Sequence, residues 1–431
     1  MRLRLIIVSI TSILMIGVMA QEPQTNGFWS GKLNVYGTEL TLVFHLTSDS
    51  CTLDSPDQGI KNIPAKQETT DMGIKVTVPS INATYEGVYQ TDSVVGTFMQ
   101  HGQSFPLTLK KGKAKRNRPQ TPVSPYPYNT EEVSFSNGDA VLKGTLVLPE
   151  QFSKNTPVLL MVTGSGLQNR DEEIFEHKPF AVIADALARQ GIATLRYDDR
   201  GFGESTGDLA KVTTEDLKND ALAGVLLLRK QFRHVGILGH SEGGTIGLML
   251  AAEGKVDFVV SLAGGVIAFE KTLLEQNRWT LQQAGYSQDV TDRYCTALKS
   301  VFDELKTGGI PKPATHNLPA ELEQNLKITQ AQSSTPYMRY FLGLDLTDSL
   351  RKITCPVLAL NGTKDRQVNS EENLNALRNG LAGQKEIKAI DGLNHMFQHC
   401  STGDPNEYKD IEETFAPEVL DIITTWLQRF K

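Results

Sequence analysis

Cysteine is scarce in this chain: Cys51, Cys295, Cys355 and Cys400 are the only four in 431 residues. No two stand at zinc-ligand spacing, so structural-zinc modules are excluded and no metal site is expected. Excess positive charge is missing too, because 43 basic residues face 50 acidic ones, for a formal net charge of −7. Nucleic acid is therefore not an expected partner. Long apolar runs are absent except near the start, where residues 5–20 follow the cationic Met1-Arg2-Leu3-Arg4 and end in Val18-Met19-Ala20. The run is short for a spanning helix of about 20 residues and no basic stop-transfer cluster follows it. Residues 1–20 thus read as a signal peptide cleaved after Ala20, which predicts an exported protein, periplasmic or extracellular, with no stable membrane span after cleavage.

A dinucleotide fingerprint is also lacking. Gly201-Phe202-Gly203 does not open the first strand-to-helix turn, and no acid follows on the next strand. An ion-paired structural loop is the expected role for Asp198 and Arg200, and no organic cofactor is expected.

The length predicts two or three domains. Residues 21–110 read as a small all-β domain, barrel or sandwich. Strands are expected at Gly31–Tyr36, Glu39–Leu46, Ile74–Val78, Val94–Phe98 and Pro106–Leu109, with Gly, Asn, Asp and Ser between them. Its aromatics, Phe28, Trp29, Tyr36, Tyr85 and Tyr89, suit either core packing or a sugar-binding platform. Residues 111–130 then combine lysine and arginine with four prolines, Pro119, Pro122, Pro125 and Pro127, and read as a solvated linker.

Residues 131–431 alternate strands and helices. A hairpin is signalled by Asn137-Gly138, and strands at 157–162, 192–197, 234–238 and 256–262 are interleaved with helices at 179–189 and 214–230. The α/β pattern implies a mostly parallel sheet covered on both faces. At 266–352 the alternation yields to a mainly helical insertion, expected to cap the sheet end that bears the site described next, before strands at 356–361 and 386–390 and a helix at 417–430.

Val235–Leu238 leads into Gly239-His240-Ser241-Glu242-Gly243, a G-x-S-x-G nucleophile elbow with a strand before it and a helix after it. A serine hydroxyl is a poor nucleophile and needs a base held by a carboxylate. Asp365 and His395 follow Ser241 in that order, each just past a strand end, and parallel strands put all such ends on one edge. Asp391 is the competing acid. The oxyanion hole is expected from the backbone N–H groups of Glu242 and Ser165, with Gly166 the one-residue alternative, in the loop after strand 157–162. Gly164, Gly166, Arg170 and Asp171 are possible pocket residues, and Asn169-Arg170-Asp171-Glu172 either shapes the pocket or pairs internally.

These residues carry a resemblance. The stretches GSGLQNRDE, HKPF, LRYDDRGFGES, LGHSEGG, NGTKD and GLNH resemble those of exported bacterial carboxylesterases of the α/β-hydrolase superfamily that carry a small N-terminal β domain. The likeness covers residues 130–431 well. The N-terminal part matches loosely, through its tryptophan-and-glycine start and the 53–59 stretch. The resemblance implies an α/β-hydrolase sheet with a helical cap, and hydrolysis of a small-molecule carboxylic ester without metal or cofactor. Ser241, Asp365 and His395 match the family's triad residue by residue.

Two rival functions stand beside it. A serine aminopeptidase shares the elbow and triad order, although the propeller of prolyl-oligopeptidase enzymes needs at least four blades and residues 21–110 are too few to build one. A carbohydrate-binding envelope protein is the other, and the intact nucleophile, base and acid argue against it. An oxidising compartment would permit a Cys295–Cys400 disulfide stapling the cap to the histidine loop, while Cys355 reads as a buried thiol at a strand start.

Overall fold

The computed structural model describes residues 26–35, 38–47, 50–58, 60–69, 72–112, 116–309 and 317–431. The expected signal peptide and Tyr36 lie outside them. The chain forms two compact units, divided between Lys115 and Arg116.

The first unit is a closed barrel of eight antiparallel strands: β1 (Gly27–Val35), β2 (Thr38–Leu46), β3 (Cys51–Ser55), β4 (Ile60–Thr69), β5 (Gly73–Val78), β6 (Ala83–Tyr89), β7 (Ser93–Gln100) and β8 (Gln103–Lys111). Trp29 and Ser30 of β1 pair with Lys111 and Lys110 of β8, and this seam removes both sheet edges. Alternate residues point inward, and Trp29, Phe44, Leu53, Tyr85, Phe98 and Leu107 fill the interior. Burial of Trp29 and Tyr85 assigns them to packing and takes them out of any sugar platform. The Tyr85 hydroxyl stays satisfied by donating to the Val94 carbonyl at 2.9 Å.

In the second unit, β9 (Tyr128–Asn137) and β10 (Ala140–Pro149) form the hairpin. Then follow β11 (Val158–Val162), α1 (Pro179–Arg189), β12 (Ala193–Tyr197), α2 (Thr214–Leu228), β13 (Val235–His240), α3 (Glu242–Ala252) and β14 (Phe258–Leu262). The helical insertion comprises α4 (Phe269–Gln283), α5 (Gln288–Lys306), α6 (Ala320–Gln332) and α7 (Pro336–Leu342). The unit closes with β15 (Val357–Gly362), α8 (Ser370–Gly380), β16 (Lys385–Ile390) and α9 (Pro417–Leu427). The sheet order is β16-β15-β14-β13-β11-β12-β10-β9. Only β10 runs against the rest, antiparallel to both of its neighbours.

Parity along the strands sorts the core. Leu160, Ile237 and Val259 face one layer, formed with Ala221 and Val225 of α2, Ile246 of α3 and Leu374 of α8. Their strand neighbours Leu159, Leu238 and Val260 face the other, formed with Ile183 of α1 and Ile423 of α9. Burial on both faces explains why these strands read as continuous apolar runs rather than alternating ones. The insertion has its own core, in which Leu298, Val301, Phe302 and Leu305 of α5 form a helical stripe against Leu281, Leu322, Leu326 and Leu342.

Two expectations are corrected. The last part of the 111–130 segment is no solvated linker. Arg118 donates to the carbonyls of Ile411 at 2.6 Å, Lys409 at 2.9 Å and Phe175 at 3.0 Å, and Gln120 bonds the Phe415 carbonyl at 2.7 Å and the Thr414 N–H at 2.6 Å. A guanidinium has five fixed donors, so one arginine can tie down three orphan carbonyls where a flexible lysine would not. The second unit accordingly starts at Arg116, and β9 at Tyr128 rather than 131. The other correction is to the disulfide, because all four cysteines are free. The Cys295 thiol lies 3.9 Å from the Leu274 carbonyl of α4, whereas that of Cys400 lies 3.5 Å from the Gly392 carbonyl in its own loop.

Candidate active site

Ser241 joins β13 to α3 with φ +52° and ψ −119°, outside the ordinary regions for a residue with a side chain. Crowding explains its glycine neighbours. A Cβ on Gly239 would collide with the Gly243 carbonyl, and one on Gly243 with that of Val162. The Ser241 N–H is tied to the Leu262 carbonyl at 2.8 Å, and Ser241 is half-exposed while both its neighbours are buried.

Asp365, in the turn after β15, accepts N–H groups from Gln367 at 2.7 Å and Val368 at 2.9 Å through Oδ1, leaving Oδ2 to hold His395 Nδ1 at 2.7 Å. Both side chains are almost fully buried. Donation from Nδ1 to a carboxylate fixes the tautomer and leaves Nε2 as the basic nitrogen. Asp391, the competing acid, accepts instead from the Thr363 hydroxyl at 3.0 Å. Ser241, His395, Gly164 and Ser165 line one cavity of about 140 Å³ with Gln168, Glu172, Gln367 and Tyr408.

Glu242 is the first residue of α3, so its N–H has no acceptor within the helix. The facing loop is fixed by Asp199, whose Oδ2 accepts the Gln168 N–H at 2.8 Å and whose Oδ1 accepts the Thr163 hydroxyl at 3.0 Å. Burial pushes the Asp199 carboxyl up to about 8, against these two hydrogen bonds. The Glu242 side chain turns away from the cavity to accept from Thr214 and from Tyr337 of α7, both at 2.6 Å, and burial raises its pKa.

Of the possible pocket residues, Gly164 lines this cavity and Gly166 a neighbouring one of about 290 Å³, with Leu167, Leu209, Val212, Leu217 and Tyr337. Arg170 and Asp171 line neither. Arg170 pairs with Asp198 at 2.9 Å and Glu132 at 2.6 Å, and Asp171 with Arg196. Arg200 forks onto Asp220 at 2.6 Å, so Asp198 and Arg200 both belong to internal ion pairs.

Sequence reasoning missed the partnership of Glu172 and His240, joined at 2.8 Å through Oε1 and Nδ1. Glu172 stands in the GSGLQNRDE stretch and His240 is the variable residue of the elbow, but nothing local signals that they meet.

An eight-stranded, mostly parallel sheet with a serine elbow, an acid and a histidine on the ends of successive strands, and a helical insertion above them, defines an α/β-hydrolase. The model of the serine aminopeptidase S33 family, Hydrolase_4, matches residues 176–399, just over half of the chain. The protein belongs to that family. It is similar to Esterase EstD of Thermotoga maritima, at 27% identity over 343 residues covering 78% of this chain and 76% of the relative. Solved structures like it include Est1E from Butyrivibrio proteoclasticus, at 16% identity, TM-score 0.42 and coverage of 69% of this chain and 98% of that one. A proline iminopeptidase of Mycobacterium smegmatis matches at 15% identity, TM-score 0.43, and coverage of 70% and 98%.

Proposed function

We propose that this protein hydrolyses carboxylic esters through an acyl-enzyme on Ser241. The observation that carries the reading is the Asp365–His395 hydrogen bond of 2.7 Å beside a serine set on a strained turn, with serine and histidine lining one cavity. His395 Nε2 takes the Ser241 proton as Oγ bonds the ester carbonyl carbon, and the oxyanion that forms is met by the N–H groups of Glu242 and Ser165. Collapse breaks the bond to the alcohol oxygen, which leaves with the proton from His395. Water, deprotonated by the same nitrogen, then attacks the acyl carbon, and Ser241 departs with its proton restored as the acid is released. Asp365 holds the imidazole in the required tautomer and stabilises its charged form. The likeness to an esterase supports this reading.

An aminopeptidase is the second reading, favoured by the family description. Such an enzyme needs an anionic group to hold the substrate ammonium. Among the described residues, Glu172 is the one carboxylate lining the cavity, and its Oε1 is already engaged by His240 and by the Gly164 N–H at 2.8 Å. Turnover of a short p-nitrophenyl acyl ester without turnover of alanyl or prolyl p-nitroanilide supports the esterase, and the reverse result rejects it. The composition of residues 1–20 supports export, which fractionation of expressing cells tests directly.

A further inference from the structure

His240 carries the residue number before the nucleophile, yet its ring is buried and makes two hydrogen bonds of its own. Nδ1 lies 2.8 Å from Glu172 Oε1, and Nε2 lies 3.0 Å from the main-chain oxygen of His395. Both partners are acceptors. A neutral imidazole has one N–H, so it would set a nitrogen lone pair against an oxygen lone pair at one of these contacts, whereas an imidazolium satisfies both. Glu172 Oε1 also takes the Gly164 N–H at 2.8 Å, and two donors on one carboxyl oxygen favour its ionised form.

From this geometry we infer that His240 is a buried imidazolium, ion-paired to Glu172, that positions the catalytic machinery by tying the oxyanion loop, the elbow and the histidine loop together. Glu172 fixes the loop through Gly164, where there is no room to spare: a Cβ on Gly164 would lie 3.2 Å from that of Ser241 and 3.4 Å from Glu172 Oε1. His240 Nε2–H in turn holds the main chain of His395. The two rings are tilted by 50° to one another, with 4.7 Å between centroids. Glu172 itself is buried and takes φ +53°, a conformation that costs energy, while its carboxyl joins the Gly164 N–H to the His240 ring.

The charges facing His240 support the assignment. Burial alone disfavours its charged form, but the Glu172 carboxylate, the His395 carbonyl and the more distant Asp365 outweigh it and raise the pKa above the ordinary histidine value. Asp199 interacts electrostatically with Glu172, and the uncharged Phe397 packs against the His240 ring at 6.5 Å between centroids. Neither His240 nor Glu172 touches the reacting atoms, so both are positioning residues, and the inference rests on the reading of Ser241 and His395 given above.

The test uses the full chain. In ¹⁵N-histidine-labelled protein, the His240 ring should keep protons on both nitrogens through pH 7. Glu172→Gln, which preserves shape but removes the charge, should lower kcat about tenfold to hundredfold, the span of a charge-assisted hydrogen bond, with KM changed less than about threefold. It should also move the alkaline limb of kcat to lower pH, because His240 loses the carboxylate that holds its proton. His240→Asn should lower kcat similarly, and fluorophosphonate titration of active sites corrects both variants for any unfolded fraction. A neutral His240 in the parent at pH 7 overturns the inference. So does a Glu172→Gln enzyme with kcat within twofold of the parent, or one that loses only thermal stability while its alkaline limb stays in place. Ser241→Ala, run alongside, separates the two levels, since turnover surviving in that variant refutes the esterase reading itself.

Discussion

Tyr337 of the cap donates its hydroxyl hydrogen to Glu242, 2.6 Å away, so the insertion reaches the residue that follows Ser241 and opens α3. Thr214 supplies the other carboxyl oxygen of Glu242 with a hydrogen bond at 2.6 Å. Tyr337→Phe therefore removes one of two supports from a buried carboxyl. A lost hydrogen bond to a charged group is worth about 1.5–3 kcal/mol. The expected outcome is a kcat reduced about tenfold with the fold retained, read from steady-state kinetics and a thermal melt.

Tyr337 also walls the apolar cavity of about 290 Å³, together with Leu167, Leu209, Val212 and Leu217. Gly166, in the loop after β11, lines it too, and under the proposed mechanism this cavity would seat an acyl chain longer than acetyl. Val212→Trp should fill it. In a panel of p-nitrophenyl esters, kcat/KM for octanoate is expected to fall at least about tenfold relative to acetate, since each buried CH₂ contributes about 0.8 kcal/mol. An unchanged ratio places the acyl group elsewhere.

Asp199 yields a pH prediction. Its carboxyl titrates near 3.9 in an unfolded chain but is pushed up to about 8 by burial in the fold. Between those values the folded state holds a proton that the unfolded state has released. The contribution of this group to stability is thus complete below about pH 4 and is lost as pH rises towards about 8. Asp199→Asn should flatten this slope, which melting temperatures at a series of pH values will reveal.

Much of this architecture was legible in the sequence because the hydrolase strands are covered on both faces. Val158–Val162 is buried throughout and could only read as an apolar run. The placement of Ser241, Asp365 and His395 on one sheet edge was legible for a related reason, since each follows a strand whose direction fixes the edge on which it emerges. The barrel was harder. β4 reads IKNIPAKQET and has no fully buried residue, so it lacks the alternation that marked β2 and β5. Glu172 and His240 are 68 residues apart and meet only through the folding of a loop, a relation that no spacing rule contains. The free thiols belong to the same class, because a disulfide depends on Cα separation rather than on shared loop location.

The choice of acid is checked by paired substitutions. Asp365→Asn should reduce kcat by roughly 10⁴, because the amide can hold the wrong histidine tautomer. Asp391→Asn should cost less than about threefold, its carboxyl being bonded to Thr363 rather than to His395. A larger loss in the Asp391 variant would reverse the assignment.

The most direct test of the central claim is covalent. After reaction with a fluorophosphonate, peptide mass mapping should place one phosphonyl adduct on Ser241. Labelling should be lost in Ser241→Ala, together with turnover of p-nitrophenyl acetate, while the melting temperature stays near that of the parent. An adduct on another residue, or ester turnover in Ser241→Ala within tenfold of the parent, would contradict the account.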